Sequence, residues 1–78
     1  MSELNKQIGQ KLQEAREKAG YSLRDVANIV GKNYSTIHSY ETGRNAINVD
    51  VMDQICNVYG VNYLDILTEI HYMNKLNK

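Results

Sequence analysis

The stretch of sequence that decides the fold is residues 22–43, SLRDVANIVGKNYSTIHSYETG. An apolar run of helical length stops at Gly31, and a second helical pattern begins after Asn33. Glycine at this break tolerates the positive φ that a tight exit from a helix needs. Ala27 is small enough to let the second helix approach the first, and Ile37 anchors that second helix on the core. The pattern therefore predicts two short helices joined by a sharp turn.

Two helices joined in this way form a helix-turn-helix, whose second helix can be presented to a DNA groove. Helix 2 is predicted to begin at Ser22 and helix 3 at Asn33, and both are residues that cap helices well. The inward residues of helix 3 are predicted to be Ile37 and Tyr40. The predicted buried face of helix 2 consists of Leu23, Val26, Ala27 and Val30.

Three further helical patterns flank this pair and predict an all-α fold of five helices. Helix 1 is predicted from about Leu4 to Ala19, helix 4 follows Asn48, and helix 5 follows Asn62. Caps, glycine stops and apolar periodicity agree along the chain, which supports the assignment. The residues that helix 1 is predicted to bury are Leu4, Ile8, Leu12, Ala15 and Ala19. Those that helix 4 is predicted to bury are Val51, Met52, Ile55, Cys56 and Tyr59. We interpret residues 1–78 as one domain, with its core at 4–70 and a helix extension or tail at 71–78.

Helix 5 carries more apolar residues than one core contact requires. Leu64 and Leu67 are predicted to face the core. A second stripe recurs at heptad-like steps and consists of Tyr63, Ile66, Ile70 and Met73. This stripe predicts a dimer interface with a second copy of the chain, and the alternative is a single wide core face. Residues 74–78 are predicted to be a solvated or frayed end.

The charge of the chain is balanced overall but not along its length. Nine basic and nine acidic residues give a net charge of zero, whereas nucleic-acid-binding domains are often strongly basic. Residues 1–44 hold seven Lys or Arg and five Asp or Glu, and residues 45–78 hold two and four. The helix-turn-helix pattern lies in the basic half, so we expect modest DNA affinity for each protomer and a need for dimerisation.

The sequence lacks the residue patterns typical of catalysis, metal binding and membrane insertion. It has no evident nucleophile–base pair, carboxylate pair or phosphate-binding loop, so we expect no enzymatic activity and no cofactor. One cysteine and two distant histidines give no metal-ligand cluster, and Cys56 is interpreted as a small buried hydrophobe. Neither a signal peptide nor an apolar run of roughly 18 residues is visible. We expect a cytoplasmic protein that binds no membrane and no evident small molecule.

Residues 8–67 resemble the Cro/CI-type (XRE-like) helix-turn-helix family of phage repressors and small bacterial transcription regulators. The resemblance is carried by AREKAGYS at 15–22, the Ala27, Gly31 and Ile37 triad, IHSYETG at 37–43 and GVNYLDIL at 60–67. It implies a compact five-helix, lambda-repressor-like domain in the cytoplasm of a bacterial or phage-infected cell. Helix 3 would lie in the major groove of double-stranded DNA, and a homodimer would bind two half-sites about one helical turn apart.

The outward side of helix 3 supplies the candidate DNA contacts. The candidates for base contact are Tyr34, Ser35, Thr36 and Ser39, of which the family resemblance implies the first, second and fourth. Serine hydroxyls bond to several bases, so they discriminate weakly. The candidates for phosphate contact are Arg24, Lys32, Asn33, His38, Thr42, Arg44 and Asn45. For each of these side chains, the alternative is an ordinary solvated surface residue.

Three features of the family pattern concern the attachment of helix 3 to helix 1, the binding of phosphate, and the loop before helix 4. The resemblance implies a salt bridge from Arg16 on helix 1 to Glu41 at the end of helix 3. Leu23 stands where relatives often carry a glutamine that binds phosphate, so that contact would be lost or made by a neighbour. The proline that is common near Ile47 is absent, which affects the path of the loop rather than the fold.

The favoured function is a sequence-specific regulator of transcription, acting as a repressor that occupies a palindromic operator as a homodimer. An activator is physically possible, since the restriction–modification controller proteins are small members of the same family. The alternative from another class is a protein-binding module, such as an antitoxin or anti-regulator. Zero net charge and the short side chains on helix 3 favour that alternative.

Overall fold

Five helices account for most of residues 2–76, the part of the chain that the computed structural model describes. They are α1 (Glu3–Ala19), α2 (Leu23–Val30), α3 (Tyr34–Thr42), α4 (Val49–Tyr59) and α5 (Tyr63–Leu76). Within these residues there is no strand, and the predicted five-helix fold is confirmed. The radius of gyration of 12.0 Å is close to the roughly 11.5 Å expected for a compact domain of this length.

Local capping explains where the helices begin and end. Ser22 accepts a hydrogen bond from the Asp25 N–H at 3.0 Å, and the Asp25 carboxylate accepts from the Ser22 N–H at 3.0 Å. Asn48 caps α4 by accepting from the Val51 N–H at 2.9 Å. Gly31 ends α2 at φ 71°, a left-handed conformation that glycine adopts without a steric penalty. The predicted turn between α2 and α3 is therefore present.

The core is built from one face of each helix. Its buried apolar side chains are Ile8, Leu12, Val26, Ala27, Ile37, Val51, Met52, Ile55, Cys56, Tyr59, Ile66 and Ile70. The predicted faces of α2 and α4 are confirmed, with Leu23 and Val30 half-buried at the edge. The α1 prediction is wrong at both ends, because Leu4 and Ala19 are exposed beyond the core.

α1 and α3 lie in close contact, and glycine makes that approach possible. A side chain at Gly9 would collide with the backbone carbonyls of Tyr40 and Glu41. A side chain at Gly43 would lie 2.7 Å from the Cα of Lys6. Gly9, which costs about 1 kcal/mol relative to alanine within a helix, therefore serves packing.

The predicted partition of α5 between core and partner is wrong. Ile66 and Ile70, assigned to a dimer interface, are 7% and 1% exposed within the protomer's own core, and Tyr63 is packed against that core. Of the two residues assigned to the core, Leu67 packs against it as predicted, whereas Leu64 is 53% exposed. Apolar residues surround most of this helix, so periodicity alone did not identify the side that packs on α1 and α4. Of the proposed stripe, Met73 retains substantial exposure.

α5 remains helical as far as Leu76, and hydrogen bonds at Asn74 attach its last turns to α1. Gln7 and Asn74 exchange two amide hydrogen bonds, at 2.7 Å and 3.0 Å. One turn away, the Lys11 ammonium lies 2.9 Å from the Glu69 carboxylate. The remainder of the predicted frayed end, residues 77 and 78, lies outside the described residues. Between residues 2 and 76, no helix combines the length and the apolarity needed to cross a membrane.

Candidate nucleic-acid interface

The exposed face of α3 is composed of short polar and aromatic side chains. Tyr34, Ser35, His38 and Thr42 are exposed, and their spacing places them on one side of the helix. Ile37 and Glu41 of the same helix are buried on the adjacent side. Two candidates for base contact, Thr36 and Ser39, are half-buried at the margins of this face. Of the four candidates for base contact, Tyr34 and Ser35 are therefore solvent-exposed, and Thr36 and Ser39 are only partly accessible.

Tyr34 and His38 form a pair that the sequence analysis treated as two separate residues. Their rings are nearly parallel, with an interplanar angle of 5° and centroids 6.5 Å apart. Offset stacking at this distance restrains the tyrosine ring while leaving the residue 51% exposed. The four-residue spacing on one helix face is the sequence signal that could have identified the pair. His38 thus shares the face of the candidate base contacts.

The turn after α3 presents Arg44 and Asn45 to solvent. Both backbone N–H groups donate to the Ser39 carbonyl, at 3.0 Å and 3.3 Å, so the turn is fixed to the end of the helix. The Thr42 hydroxyl also donates to that carbonyl at 3.3 Å, so it would have to rotate before it could donate to a phosphate. These bonds place the Arg44 and Asn45 side chains beside the C-terminal end of the exposed α3 face.

The start of α3 differs in one detail from the sequence prediction. Asn33 occupies the N-cap position with an extended backbone, but its side chain makes no capping hydrogen bond. Its carbonyl accepts from the N–H groups of Thr36 and Ile37. The predicted side-chain cap is therefore wrong, because the turn is closed by the backbone alone. The amide remains exposed at a positively polarised helix end, where an anion is favoured.

A buried ion pair holds the base of α3 on α1. Nε of Arg16 donates to Oε2 of Glu41 at 2.8 Å, and Nη2 donates to Oε1 at 3.1 Å. A third guanidinium donor, Nη1, binds the Tyr21 carbonyl at 2.9 Å. The hydrogen bonds to Glu41 raise the pKa of Arg16 above its already high usual value. The salt bridge expected from the family resemblance is confirmed, and its burial makes it more than a surface pair.

The charged side chains close to α3 in sequence include both paired and unpaired groups. The Glu41 carboxylate is neutralised by Arg16, and Asp25 is engaged by Ser22, whose N–H hydrogen bond lowers the pKa of that carboxyl. Arg24 is exposed in the first turn of α2, and Lys32 is half-buried in the turn before α3. Arg24 and Lys32 make no ion pair among the described residues, Glu41 is neutralised by Arg16, and Asp25 keeps its negative charge.

The two departures from the family pattern are explained by packing. Leu23 is half-buried against the core, so an apolar residue there gains burial and gives up a polar contact. Ile47 is also half-buried against the core, which fixes the loop before α4 without proline. The packing of Leu23 agrees with its predicted place on the buried face of helix 2, whereas the packing of Ile47 was not predicted.

Comparison with known families places the chain within one of them. The helix-turn-helix family model matches residues 12–66, which include all of α2, α3 and α4, the second half of α1 and the first turn of α5. Over 51 residues, the chain is 35% identical to a protein of Thermococcus kodakarensis whose name places it among HTH-type transcriptional regulatory proteins. That alignment covers 65% of this chain and 16% of the relative.

Two other curated relatives differ in what they are named for. Antitoxin PezA of Streptococcus pneumoniae is 28% identical over 67 residues, which are 86% of this chain and 42% of the antitoxin. The isomerizing glutamine–fructose-6-phosphate aminotransferase of Methanocaldococcus jannaschii is 32% identical over 74 residues, 91% of this chain but 7% of that protein. The chain spans less than half the length of these curated relatives.

Solved structures of similar fold include two bacterial proteins. The BldD DNA-binding domain from S. venezulae superimposes with a TM-score of 0.73 at 31% identity, covering 83% of this chain and 97% of that domain. The clp gene regulator ClgR of Corynebacterium glutamicum superimposes with a TM-score of 0.85 at 22% identity, covering 97% and 81%. At 22% identity the ClgR match shows the fold alone.

Proposed function

The chain belongs to the helix-turn-helix family, and we propose that it is a transcription regulator that binds double-stranded DNA in a sequence-specific way. The observation that carries this proposal is the α3 face of Tyr34, Ser35, His38 and Thr42, which is exposed while Ile37 and Glu41 anchor the same helix in the domain. The B-DNA major groove is about 12 Å wide and admits one α-helix. The proposed role is binding rather than catalysis.

Base reading is assigned to the N-terminal half of α3. Tyr34 would contribute its hydroxyl, or lay its ring on a thymine methyl, and stacking on His38 would keep the ring ordered. Ser35, and Ser39 and Thr36 at the margins, would bond to base edges with little discrimination between bases. Because these groups are short, Tyr34 is the side chain expected to contribute most to sequence preference.

Phosphate contacts would surround this face and supply most of the affinity. Arg44 and Asn45 extend from the fixed turn at one end of α3, and Asn33 lies at the other. The flanking candidates are Arg24, Lys32, His38 and Thr42. Arg24, Lys32 and Arg44 make no ion pair among the described residues, which leaves their charges free for phosphate in a protein of zero net charge.

Dimerisation would occur through the solvent side of α5 rather than through Ile66 and Ile70. Leu64 and Tyr72 are 53% and 57% exposed and lie eight residues apart, and the exposed Leu76 follows Tyr72 by four residues, so the three share one side of the helix. A two-fold pair would bind a palindrome whose half-sites are about 34–36 Å apart, and occupation of such an operator would repress transcription. A cytoplasmic location remains part of the proposal.

A second candidate function is supported by the similarity to antitoxin PezA over 86% of this chain. On this alternative the helical surface binds a protein partner, and DNA binding is weak or absent. The two functions differ in their response to salt. A DNA-binding protein loses affinity for duplex DNA steeply as salt rises, because binding releases counterions. A module that binds only a protein partner shows no such salt-dependent binding to duplex DNA.

The test is binding of the chain to a random-sequence duplex at increasing salt, from about 20 mM, where the Debye length is about 20 Å. The proposed regulator binds at low salt and loses affinity along a straight line of log affinity against log salt. Failure to bind even at the lowest salt contradicts the proposal and favours the protein-partner function.

A further inference from the structure

Lys6 is in direct contact with the turn that follows α3, although it lies 37 positions earlier in the chain. A Cβ built on Gly43 would lie 2.7 Å from Cα, 2.8 Å from N and 2.9 Å from Cγ of Lys6. The backbone and the first part of the lysine side chain therefore pack on Gly43. Arg44, the proposed phosphate contact, is the next residue after Gly43, which places the Cα atoms of Lys6 and Arg44 at most about 8 Å apart.

The Lys6 side chain is exposed, and no carboxylate of residues 2–76 lies within 4.0 Å of its ammonium. Two other cations of α1 are paired with carboxylates, and Lys18 at the far end of the helix is not. Lys11 pairs with Glu69 at 2.9 Å, and Arg16 pairs with Glu41 at 2.8 Å. Glu3 lies one turn before Lys6 but does not pair with it. Lys6, the cation of α1 that contacts the turn after α3, is therefore not paired with a carboxylate of the described residues.

We propose that Lys6 is a phosphate contact which, with Arg44, binds the DNA backbone at the C-terminal end of α3. This inference rests on the proposed DNA-binding function and extends the interface to α1. A lysine ammonium on a flexible four-carbon stem suits phosphate because it acts as a mobile point charge. The contact to Gly43 fixes the root of that stem, so less of its position has to be ordered on binding.

The contact has a measurable signature in the dependence of DNA affinity on salt. Each phosphate neutralised by a cation contributes about 0.9 to the slope of log affinity against log salt for B-DNA. Removing a real phosphate contact should therefore reduce that slope by about 0.9 and weaken binding roughly fivefold to tenfold near 100 mM salt. A cation that only raises the general positive potential should leave the slope almost unchanged.

Lys18 provides a matched control within the same helix. It is exposed, has no carboxylate within 4.0 Å among the described residues, and lines the groove between α1 and α5 near Gly60. Lys6→Gln and Lys18→Gln each remove one positive charge and keep the aliphatic stem. Lys6→Arg keeps the charge at the proposed contact. Circular dichroism melting of all three variants establishes that each remains folded.

The experiment measures the affinity of wild type and the three variants for one random-sequence duplex between about 50 and 200 mM salt. We expect the slope to fall by about 0.9 for each bound protomer with Lys6→Gln and to keep its wild-type value for Lys18→Gln and Lys6→Arg. Equal slopes for Lys6→Gln and Lys18→Gln overturn the assignment of Lys6 while leaving DNA binding intact. If the wild type does not bind the duplex at all, the result contradicts the proposed function and therefore also this contact.

Discussion

Arg16 on α1 and Glu41 on α3 form a buried ion pair with two parallel hydrogen bonds, Nε to Oε2 at 2.8 Å and Nη2 to Oε1 at 3.1 Å. The side chains are only 10% and 4% exposed. Such a pair fixes geometry more than it adds net stability, because desolvation of both charges offsets much of their attraction. The pair lies near the C-terminal end of α3 and attaches this helix, which is proposed to bind DNA, to α1.

Breaking this pair from one side should be far more damaging than replacing it entirely. Arg16→Met leaves the Glu41 carboxylate buried without its cation and should cost about 3–5 kcal/mol of unfolding free energy. Combining Arg16→Met with Glu41→Leu removes both charges and should recover part of that loss. Urea denaturation of the two single variants and the double variant measures the coupling. Additive losses in the double variant would show that the two charges do not depend on each other.

Gly43 should be less replaceable than another glycine with nearly the same backbone conformation. Gly43 and Gly60 both end helices, at φ 79° and 74°, so alanine costs about 1–2 kcal/mol at either from the left-handed backbone alone. At Gly43 the new Cβ also meets the Lys6 backbone at 2.7 Å, whereas at Gly60 no described atom lies within 4 Å. Thermal melts should show that Gly43→Ala is clearly less stable than Gly60→Ala. Equal melting temperatures would mean that α1 and the turn separate without cost.

The Tyr59 hydroxyl is a buried polar group with no hydrogen-bond partner among the described residues. An orphaned group of this kind costs stability, so Tyr59→Phe should be neutral or should stabilise the fold by up to about 1 kcal/mol. The ring and its contact with Tyr21, with centroids 6.3 Å apart, are retained in phenylalanine. Tyr72→Phe, at an exposed position, is the control and should change the unfolding free energy by less than about 0.5 kcal/mol. A large loss in Tyr59→Phe would reveal that the hydroxyl has a partner.

Stability should fall on the alkaline side because of two buried groups on α4. Burial raises the pKa of the Cys56 thiol from 9.0 to about 11, and burial likewise raises the pKa of Tyr59. The folded chain then holds these protons more tightly than the unfolded chain does. The contribution of Cys56 is therefore complete below about pH 9 and is lost as pH rises towards 11, by about 1.4 kcal/mol for each pH unit.

Urea denaturation of wild type and Cys56→Ala between pH 7 and pH 10.5 isolates the thiol. Alanine lowers stability at every pH because it leaves a small cavity, but the variant should lose less than wild type as pH rises above 9. Parallel pH profiles for the two proteins would mean that the thiol is not protected from deprotonation by burial.

Local signals made the helix bounds and the central turn predictable from sequence. Ser22 with Asp25, Asn48 and Gly31 act within one turn of the backbone, so their positions fix helix ends without knowledge of the tertiary fold. The outward direction of Tyr34 and Ser35 followed from the same reasoning, once Ile37 was assigned to the core. The family resemblance supplied the Arg16–Glu41 pair.

Features that depend on how helices cross were not available from the sequence. The packing role of Gly9 is one such feature, because only the approach of α1 to the carbonyls of α3 reveals it. The orientation of α5 was misassigned, since Leu64 and Ile66 are both apolar and periodicity does not distinguish them. The contact of Lys6 with Gly43 joins residues that are far apart in the chain, and no local pattern encodes it.

Selection of bound sequences from a random duplex library, by wild type and by Tyr34→Ala, tests most directly whether α3 reads the major groove. The expected result is enrichment of a two-fold-symmetric sequence by wild type. Tyr34→Ala should bind that sequence about 1–3 kcal/mol more weakly, with little change in its affinity for random duplex. The contradicting result is no enriched sequence, or the same sequence bound equally well by both proteins.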